Sequence, residues 1–386
     1  MGRRLLGGRW RLPFRTLSSH YITITMDYKP AIMDALTTLE QSDTARGERF
    51  AAAAYKKVLG QLKGLAGPVR GFDDLVGVEG IGAKMKLKLE EIFKTGKLRA
   101  AEEAKADPDF VAYNELLKIY GVGPVKARQF VDAGINGVEA IRKLVARDPD
   151  ALTAAQKLGL KYYEDTQERI PRAEIDEHRI VLERAFGAVG LTMEIVGSYR
   201  RGALNSGDID VLITGPAALG KSKMSAAFKK AVDSLEADGY LLGILARGPT
   251  KTLAYAGIKG FGTNGKGRRL DLLLTDPEEY PYAILYFTGS DQFNIAMRRW
   301  ALDCGYTMNE HGMQATNNTG SAPPMKTERD IFDFLGLAWV APTERRDGTQ
   351  VVAAASAPEP TDEEKLEALR AARRLAATAA AKLKKE

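Results

Sequence analysis

The chain has 386 residues, 45% of them hydrophobic, and a formal net charge of +6; at roughly one domain per 150 residues, two or three domains are expected. A single cysteine, Cys304, excludes an intrachain disulfide, and His20, His178 and His311 are too scattered for a zinc site, so a catalytic metal would have to sit on carboxylates, as a hard cation such as Mg²⁺ does. Mean hydropathy is −0.24 and no run approaches the roughly 18 apolar residues of a spanning helix; the basic excess suits a polyanionic partner.

Residues 1–26 carry Arg3, Arg4, Arg9, Arg11 and Arg15 with Ser18 and Ser19, and no acid precedes Asp27. That is the composition of an organelle transit peptide, although a basic leader without that role reads the same way. From 27 to 105 the chain is expected to be helical: Ala31, Ile32, Ala35, Leu36 and Leu39, then Phe50, Ala54, Val58, Leu59 and Leu62, recur at helical spacing. Gly80-Ile81-Gly82 interrupts this pattern before a Lys-rich helical run that ends at Thr95-Gly96. Residues 106–170 repeat the device with Gly121-Val122-Gly123.

After Pro171 the pattern changes. A helix through Ile180 and Leu182 precedes strand candidates at Met193–Val196 and Ile209–Leu212, a helix at Phe228–Leu235, and strands at Thr252–Tyr255 and Leu270–Leu274. Such a mixture is α+β and not regular βαβ. The segment 349–386 is rich in Ala, Lys and Glu, and Thr361 with Glu364 forms a capping box for a solvent-facing helix.

The chemistry concentrates at three aspartates. Asp208 and Asp210 open a strand, and period-two geometry points both carboxylates to one face. Two such charges repel unless a divalent cation neutralises them. Asp271 sits in the apolar strand Arg269-Leu270-Asp271-Leu272-Leu273-Leu274, where a charge is costly without a metal or partner. Three carboxylates converging on two Mg²⁺ ions make a phosphoryl-transfer site. Ser198, Arg201 and Arg172 are candidates for a triphosphate, because a guanidinium fork and a Gly-Ser turn both suit phosphate oxygens.

Three separated segments, in order, resemble the family X DNA polymerases of the polymerase beta type. They are Gly197-Ser198 through Asp210, Arg269-Leu270-Asp271, and Tyr286-Phe287-Thr288-Gly289-Ser290-Asp291-Gln292-Phe293-Asn294 with Arg298 beyond it. The resemblance runs from about Met26 to the 340s. It implies a multidomain α+β chain: a helical DNA-binding and 5′-deoxyribose-phosphate lyase domain at 27–105, a helical DNA-binding subdomain at 106–170, a palm of nucleotidyltransferase type with a mixed sheet at 171–276, and a nucleotide-binding subdomain at 277–348. It implies template-directed filling of short gaps in base excision repair. Two Mg²⁺ ions, replaceable by Mn²⁺, would be held by Asp208, Asp210 and Asp271; the first two would bridge both ions, and Asp271 would receive the primer 3′-OH proton. Arg172, Ser198, Arg201 and Gly207 would take the triphosphate. Tyr286 and Phe287 would exclude a 2′-OH beside a cis Gly289-Ser290 peptide, with Asp291 over the base, Asn294 at its minor-groove edge and Arg298 on the template.

Gly80-Ile81-Gly82 and Gly121-Val122-Gly123-Pro124 resemble helix-hairpin-helix motifs, which bind DNA phosphates through helix N-terminal amides and, in this family, a Na⁺ or K⁺ ion through carbonyls. Lys88 stands at the family's Schiff-base lysine, with Tyr55 and Lys84 at matching positions and Arg269 beside the third ligand. The chain departs from the pattern at Phe50, Ala51 and Ala100 in the lyase pocket, and at Leu273, where the family usually has an arginine that pairs with the middle aspartate. Expected partners are gapped or nicked double-stranded DNA, dNTPs and other base excision repair proteins, with no membrane, for a monomer of the nucleus or mitochondrion. A template-independent nucleotidyltransferase and a silent DNA-binding scaffold are the competing readings; the two hairpins and Arg298 weigh against the first, the intact aspartates against the second.

Overall fold

The structure is a computed structural model and describes residues 26–65, 67–258, 266–316 and 322–355. The Arg-rich leader up to residue 25 and the helix expected from Thr361 and Glu364 lie outside the described residues. The chain divides into two compact units at Phe110/Val111, against an expected boundary at 105/106.

In the first unit, α1 (Lys29–Ala45), α2 (Arg49–Gly64), α3 (Ala83–Thr95) and α4 (Arg99–Ala106) surround one core. The apolar positions spaced three and four apart supply it: Ile32, Leu36 and Leu39 from α1, Val58, Leu59 and Leu62 from α2, Leu89 and Ile92 from α3. Gly96 ends α3 at φ 75°, in the left-handed region. Asp27 Oδ1 accepts from the backbone N–H groups of Lys29 and Val69, at 2.9 Å each, tying the start of α1 to the loop after α2.

The helix α5 (Pro108–Leu117) crosses the division, and α6 (Pro124–Asp132), α7 (Val138–Arg147), α8 (Ala154–Lys161) and α9 (Tyr163–Gln167) follow. Next come β1 (Ile170–Pro171), α10 (Arg172–Gly187), β2 (Thr192–Ile195), the single turn α11 (Gly197–Arg200), β3 (Asn205–Ser206), β4 (Ile209–Thr214) and α12 (Lys221–Ala237). The strands β5 (Leu241–Arg247), β6 (Lys251–Ala256) and β7 (Arg268–Leu274) complete a five-stranded sheet of order β2-β4-β7-β6-β5. Only β4 and β7 are parallel; the other pairings are antiparallel. The sheet is therefore mixed. The remaining elements are α13 (Tyr280–Thr288), α14 (Asp291–Asp303), the ribbon β8 (Tyr306–Asn309) with β9 (Gly312–Ala315), and α15 (Glu328–Phe334).

The two faces of the sheet differ, and the alternation of the sequence is the cause. Ile209, Val211 and Ile213 of β4, with Leu270 and Leu272 of β7, enter a core shared with α10 and α12. The intervening positions look the other way. Leu212 and Leu273 pack there with Val196, Ala283, Ile284 and Phe287, which leaves the acidic ends of the two strands beyond the cover of α13.

Candidate active site

In the parallel register of β4 and β7, Asp210 is paired with Asp271. Asp208 lies two residues upstream and so shares their face. Burial, with the charges of Asp208 and Asp271 behind it and those of Arg269 and Arg201 opposing, pushes the Asp210 carboxyl up to about 7. Asp208 is also raised, mainly by burial, with Arg269 opposing and Asp271 adding to the shift. Burial and mutual repulsion disfavour the ionised pair, and an all-oxygen donor set fits a hard divalent cation, which would offset both.

Asp271 has an ion-pair partner on its own strand. Both its oxygens accept from Arg269 Nη2 at 3.1 Å. Among the described residues no three acidic, histidine or cysteine side chains gather around one point. Asp208 and Asp210 are thus free of such a contact, whereas Asp271 is held by Arg269. Leu273, where an arginine would sit, is part of the apolar cluster under α13.

The Gly-Ser turn explains itself through contact with Asp210. Gly197 has φ +59°, and a Cβ there would stand 2.6 Å from Asp210 Oδ2. Ser198 Oγ donates to Ser206 Oγ at 2.8 Å, and Arg201 Nη1 donates to the Thr288 carbonyl at 2.6 Å. Arg172 behaves as a brace: it donates to the Tyr199 and Ala203 carbonyls at 2.8 and 3.4 Å, and its guanidinium lies 3.9 Å from the centre of the Tyr199 ring. It is not among the residues lining the cleft, whereas Arg169 is. Arg169 donates to the Asn205 side chain and carbonyl at 2.9 and 2.8 Å and sits beside Gly207. No sequence signal marked it, since it reads as a surface arginine before Ile170-Pro171.

Arg169, Gly197, Ser198, Arg201, Asp208 and Asp210 line one side of a cleft of about 870 Å³, and the end of α13 and start of α14 line the other. The Gly289-Ser290 peptide is cis, as the resemblance implied. Ser290 caps α14 by accepting from the Phe293 N–H, and its hydroxyl donates to the Arg346 carbonyl at 2.7 Å. Asn294 Nδ2 donates to the Tyr286 carbonyl at 2.7 Å. Tyr286 and Phe287 meet edge to face, and the Arg298 guanidinium stands 5.9 Å from the Tyr286 ring centre. Gly207, Gly289, Asp291 and Arg298 line the same cleft, together with Arg346, which the sequence reading missed.

A second cleft, of about 470 Å³, joins the Leu117–Val122 turn to Gly207, Asp208 and Arg269. Gly121 has φ +78°, its carbonyl accepts from Gln156 Nε2 at 2.7 Å, and Gly123 caps α6 with Pro124 in the first turn. The hairpin turn and the aspartate at the head of β4 thus open onto the same space.

In the first unit, Gly80 has φ +94° and Gly82 caps α3, so α3 presents its N-terminus with Lys84 exposed. Lys88 follows one turn later and is half-buried. Tyr55 is raised by burial and by the Asp43 charge. Asp43 is itself raised by burial, with Arg46 and Lys88 among the charges acting on it. Asp43, Tyr55 and Lys88 therefore come from three helices into one electrostatic neighbourhood. Asp43 was not marked by the sequence. Ala51 and Phe50 are exposed, the latter 96%.

Four family profiles match the chain in succession: a helix-hairpin-helix domain at residues 27–98, the fingers domain of DNA polymerase lambda at 114–167, the DNA polymerase beta palm at 169–277 and the DNA polymerase beta thumb at 283–346. DNA polymerase lambda of Rattus norvegicus is 33% identical over 335 residues, covering 83% of this chain and 56% of the relative. DNA polymerase lambda of Arabidopsis thaliana is 28% identical over 316 residues, covering 78% and 59%. The chain thus spans a little over half the length of the curated relatives it matches. With palm, thumb, fingers and hairpin profiles in one order along one chain, the protein belongs to the family X DNA polymerases.

Proposed function

We propose that the chain is a template-directed DNA polymerase that fills short gaps during base excision repair and removes a 5′-deoxyribose phosphate through Lys88. The observation that carries the polymerase reading is the parallel register that sets Asp210 beside Asp271, with Asp208 and Asp210 lining a cleft that Tyr286, Asn294 and Arg298 also line. Mg²⁺ bound by Asp208, Asp210 and Asp271 would supply charge neutralisation and Lewis acidity at the reacting phosphate. Ser198, Arg201 and Gly207 bind the triphosphate, with Arg172 holding their loop. Tyr286 and Phe287 pack against the sugar, and Asn294 and Asp291 meet the base. The primer 3′-oxygen attacks the α-phosphorus, the bond to the bridging oxygen breaks, and pyrophosphate leaves. The 3′-OH proton passes to Asp271 once that carboxylate is free of Arg269.

The hairpins contact the DNA backbone, and their carbonyls would hold a monovalent cation, so binding is independent of sequence and weakens steeply with salt. For the lyase step, neutral Lys88 attacks the C1′ aldehyde and water leaves; loss of a C2′ proton then breaks the C3′–O bond and frees the downstream 5′-phosphate, and water hydrolyses the imine to release the sugar and restore Lys88. We place this activity in the nucleus or mitochondrion.

The test is a one-nucleotide gap with a 5′-phosphate, dNTPs and Mg²⁺, with Asp271→Ala as control. Templated extension by the wild type alone supports the polymerase and its aspartates. Extension without a template strand would favour a terminal transferase, and no extension with DNA binding intact would leave only a scaffold.

A further inference from the structure

Two neighbouring arginines near the end of the described chain point opposite ways. Arg345 is buried and donates through Nη1 to Glu328 Oε1 at 2.6 Å, an acid that Arg200 also meets at 2.7 Å. Arg346 is exposed and lines the cleft beside Asp291, Gln292, Ile295 and Arg298. Among the described residues its guanidinium makes no ion pair or hydrogen bond. The arginines on the palm side of the cleft are engaged, Arg169 with Asn205 and Arg201 with the Thr288 carbonyl. The main chain of Arg346, by contrast, is held from both sides. Ser290 Oγ donates to its carbonyl at 2.7 Å, and its N–H donates to Gln350 Oε1 at 3.2 Å.

The second of those holds comes from beyond the thumb profile, which ends at residue 346. Asp347 Oδ1 accepts from the Thr349 N–H at 2.8 Å and from Gln350 Nε2 at 3.0 Å, while Gln350 Oε1 accepts from the Asp347 N–H at 2.9 Å. Gly348 lies against α14, where a Cβ would stand 3.0 Å from Ala296 Cβ. Val351 packs on the apolar cluster that contains Phe293 and Met297 of α14. The chain then pairs with the segment after α15: the Ala338 N–H donates to the Val352 carbonyl at 3.0 Å, and the Ala354 N–H to the Gly336 carbonyl at 2.9 Å. Residues 347–355 thus form a strap that fixes the backbone of Arg346 on the wall of the cleft.

We propose that Arg346 is a phosphate-binding residue of this cleft and that the strap presents it. This rests on the polymerase reading above. A guanidinium is a planar fork of donors matched to phosphate oxygens. With the main chain already fixed, only side-chain rotamers remain to be ordered on binding, so more of the contact appears as affinity. The phosphate belongs either to the incoming nucleotide or to a strand of the gapped DNA, both of which the proposed reaction brings here.

Three full-length variants test this. Arg346→Gln removes the charge, Arg346→Lys keeps a charge without the fork, and Gln350→Leu removes the carboxamide that holds the Arg346 N–H. The readouts are dNTP affinity on dideoxy-terminated gapped DNA, gapped-DNA affinity between about 50 and 200 mM salt, and thermal midpoint. Arg346→Gln is expected to weaken one of the two affinities roughly tenfold at an unchanged midpoint. Arg346→Lys should fall between it and wild type, and Gln350→Leu should show a smaller loss in the same affinity. A loss confined to dNTP assigns the nucleotide's phosphate. A loss of DNA affinity, with a salt slope lower by about one, assigns a strand phosphate. Wild-type values of both affinities in Arg346→Gln would overturn the inference, as would a loss matched by a lower midpoint, which marks a structural role. Wild-type binding in Gln350→Leu beside a loss in Arg346→Gln would overturn the part given to the strap. Primer extension by the wild type separates the two readings: extension together with unaltered Arg346→Gln binding overturns this inference alone, whereas no extension overturns the polymerase reading and this inference with it.

Discussion

A Cβ on Gly197 would stand 2.6 Å from Asp210 Oδ2, so this carboxylate occupies the space that any side chain at position 197 would need. Backbone conformation adds to the requirement, since φ is +59° there. Gly197→Ala is expected to lower single-nucleotide insertion by roughly a hundredfold, because the aspartate must move by a large fraction of an ångström. Fluorescence anisotropy on gapped DNA should show unchanged affinity. An alanine variant that inserts at the wild-type rate would show that the position of Asp210 does not limit the reaction.

Asp210 gives a pH dependence of definite sign. Its carboxyl is pushed from 3.8 up to about 7 by burial, with Asp208 and Asp271 adding to it. A raised acid contributes stability below its unfolded value, and that contribution is lost as pH rises through the folded one. Without divalent cations, Asp210→Asn should therefore resist urea better than wild type above about pH 8, by an amount on the order of 4 kcal/mol at most. The difference should close near about pH 4. Adding Mg²⁺ at the higher pH should raise the stability of wild type far more than that of the variant. Equal urea midpoints at both pH values would sink this reading.

Leu273 faces Leu212 across the β4–β7 register and packs under α13. Leu273→Arg would set a guanidinium among apolar groups with Asp271 two residues away and Asp210 on the adjoining strand. We expect a loss of roughly 1–3 kcal/mol in stability from burying the charge, and a lower insertion rate as a carboxylate is drawn into a new ion pair. Thermal melts and single-turnover insertion measure the two effects separately. A variant as fast as wild type would mean the aspartates tolerate that cation.

For the first unit, borohydride reduction on a pre-incised abasic DNA should trap a covalent complex with wild type and none with Lys88→Ala. Asp43→Asn removes an anion that acts on Lys88 and so favours the neutral amine; trapping should be at least as fast as in wild type. Persistent trapping in Lys88→Ala would move the nucleophile elsewhere.

Asp208 and Asp210 were legible from sequence because two-residue alternation is local: wherever β4 forms, both carboxylates face one way. Asp271 could be suspected as an acid in an apolar strand, but its neighbour depends on a register across 61 residues of chain (271 − 210). Leu273 under α13 follows from that same register, whereas Arg269 reaches Asp271 from two residues away on the same strand. Glu328 and Arg345 carried no signal at all. Arg200 and Glu328 lie 128 positions apart, and a glutamate opening a helix reads as an ordinary solvent-facing residue. The glycines of both hairpins were visible as turns, whereas the reason for Gly197 appeared only when Asp210 was placed beside it. Short elements such as β8, β9 and the seven-residue β5 with its bulges offered too little periodicity to be read.

The strand β4 lies inside the sheet, hydrogen-bonded to β2 on one edge and β7 on the other. Sliding it by even one residue would turn Ile209, Val211 and Ile213 out of the core and the aspartates into it. The acids are thus anchored to the least yielding part of the protein. In the proposed reaction, movement would have to come from side chains such as Arg269 and Asp271 or from the helices bearing the opposite wall. The floor would act as a fixed jaw, and nucleotide selection would be a matter of what the other jaw closes upon.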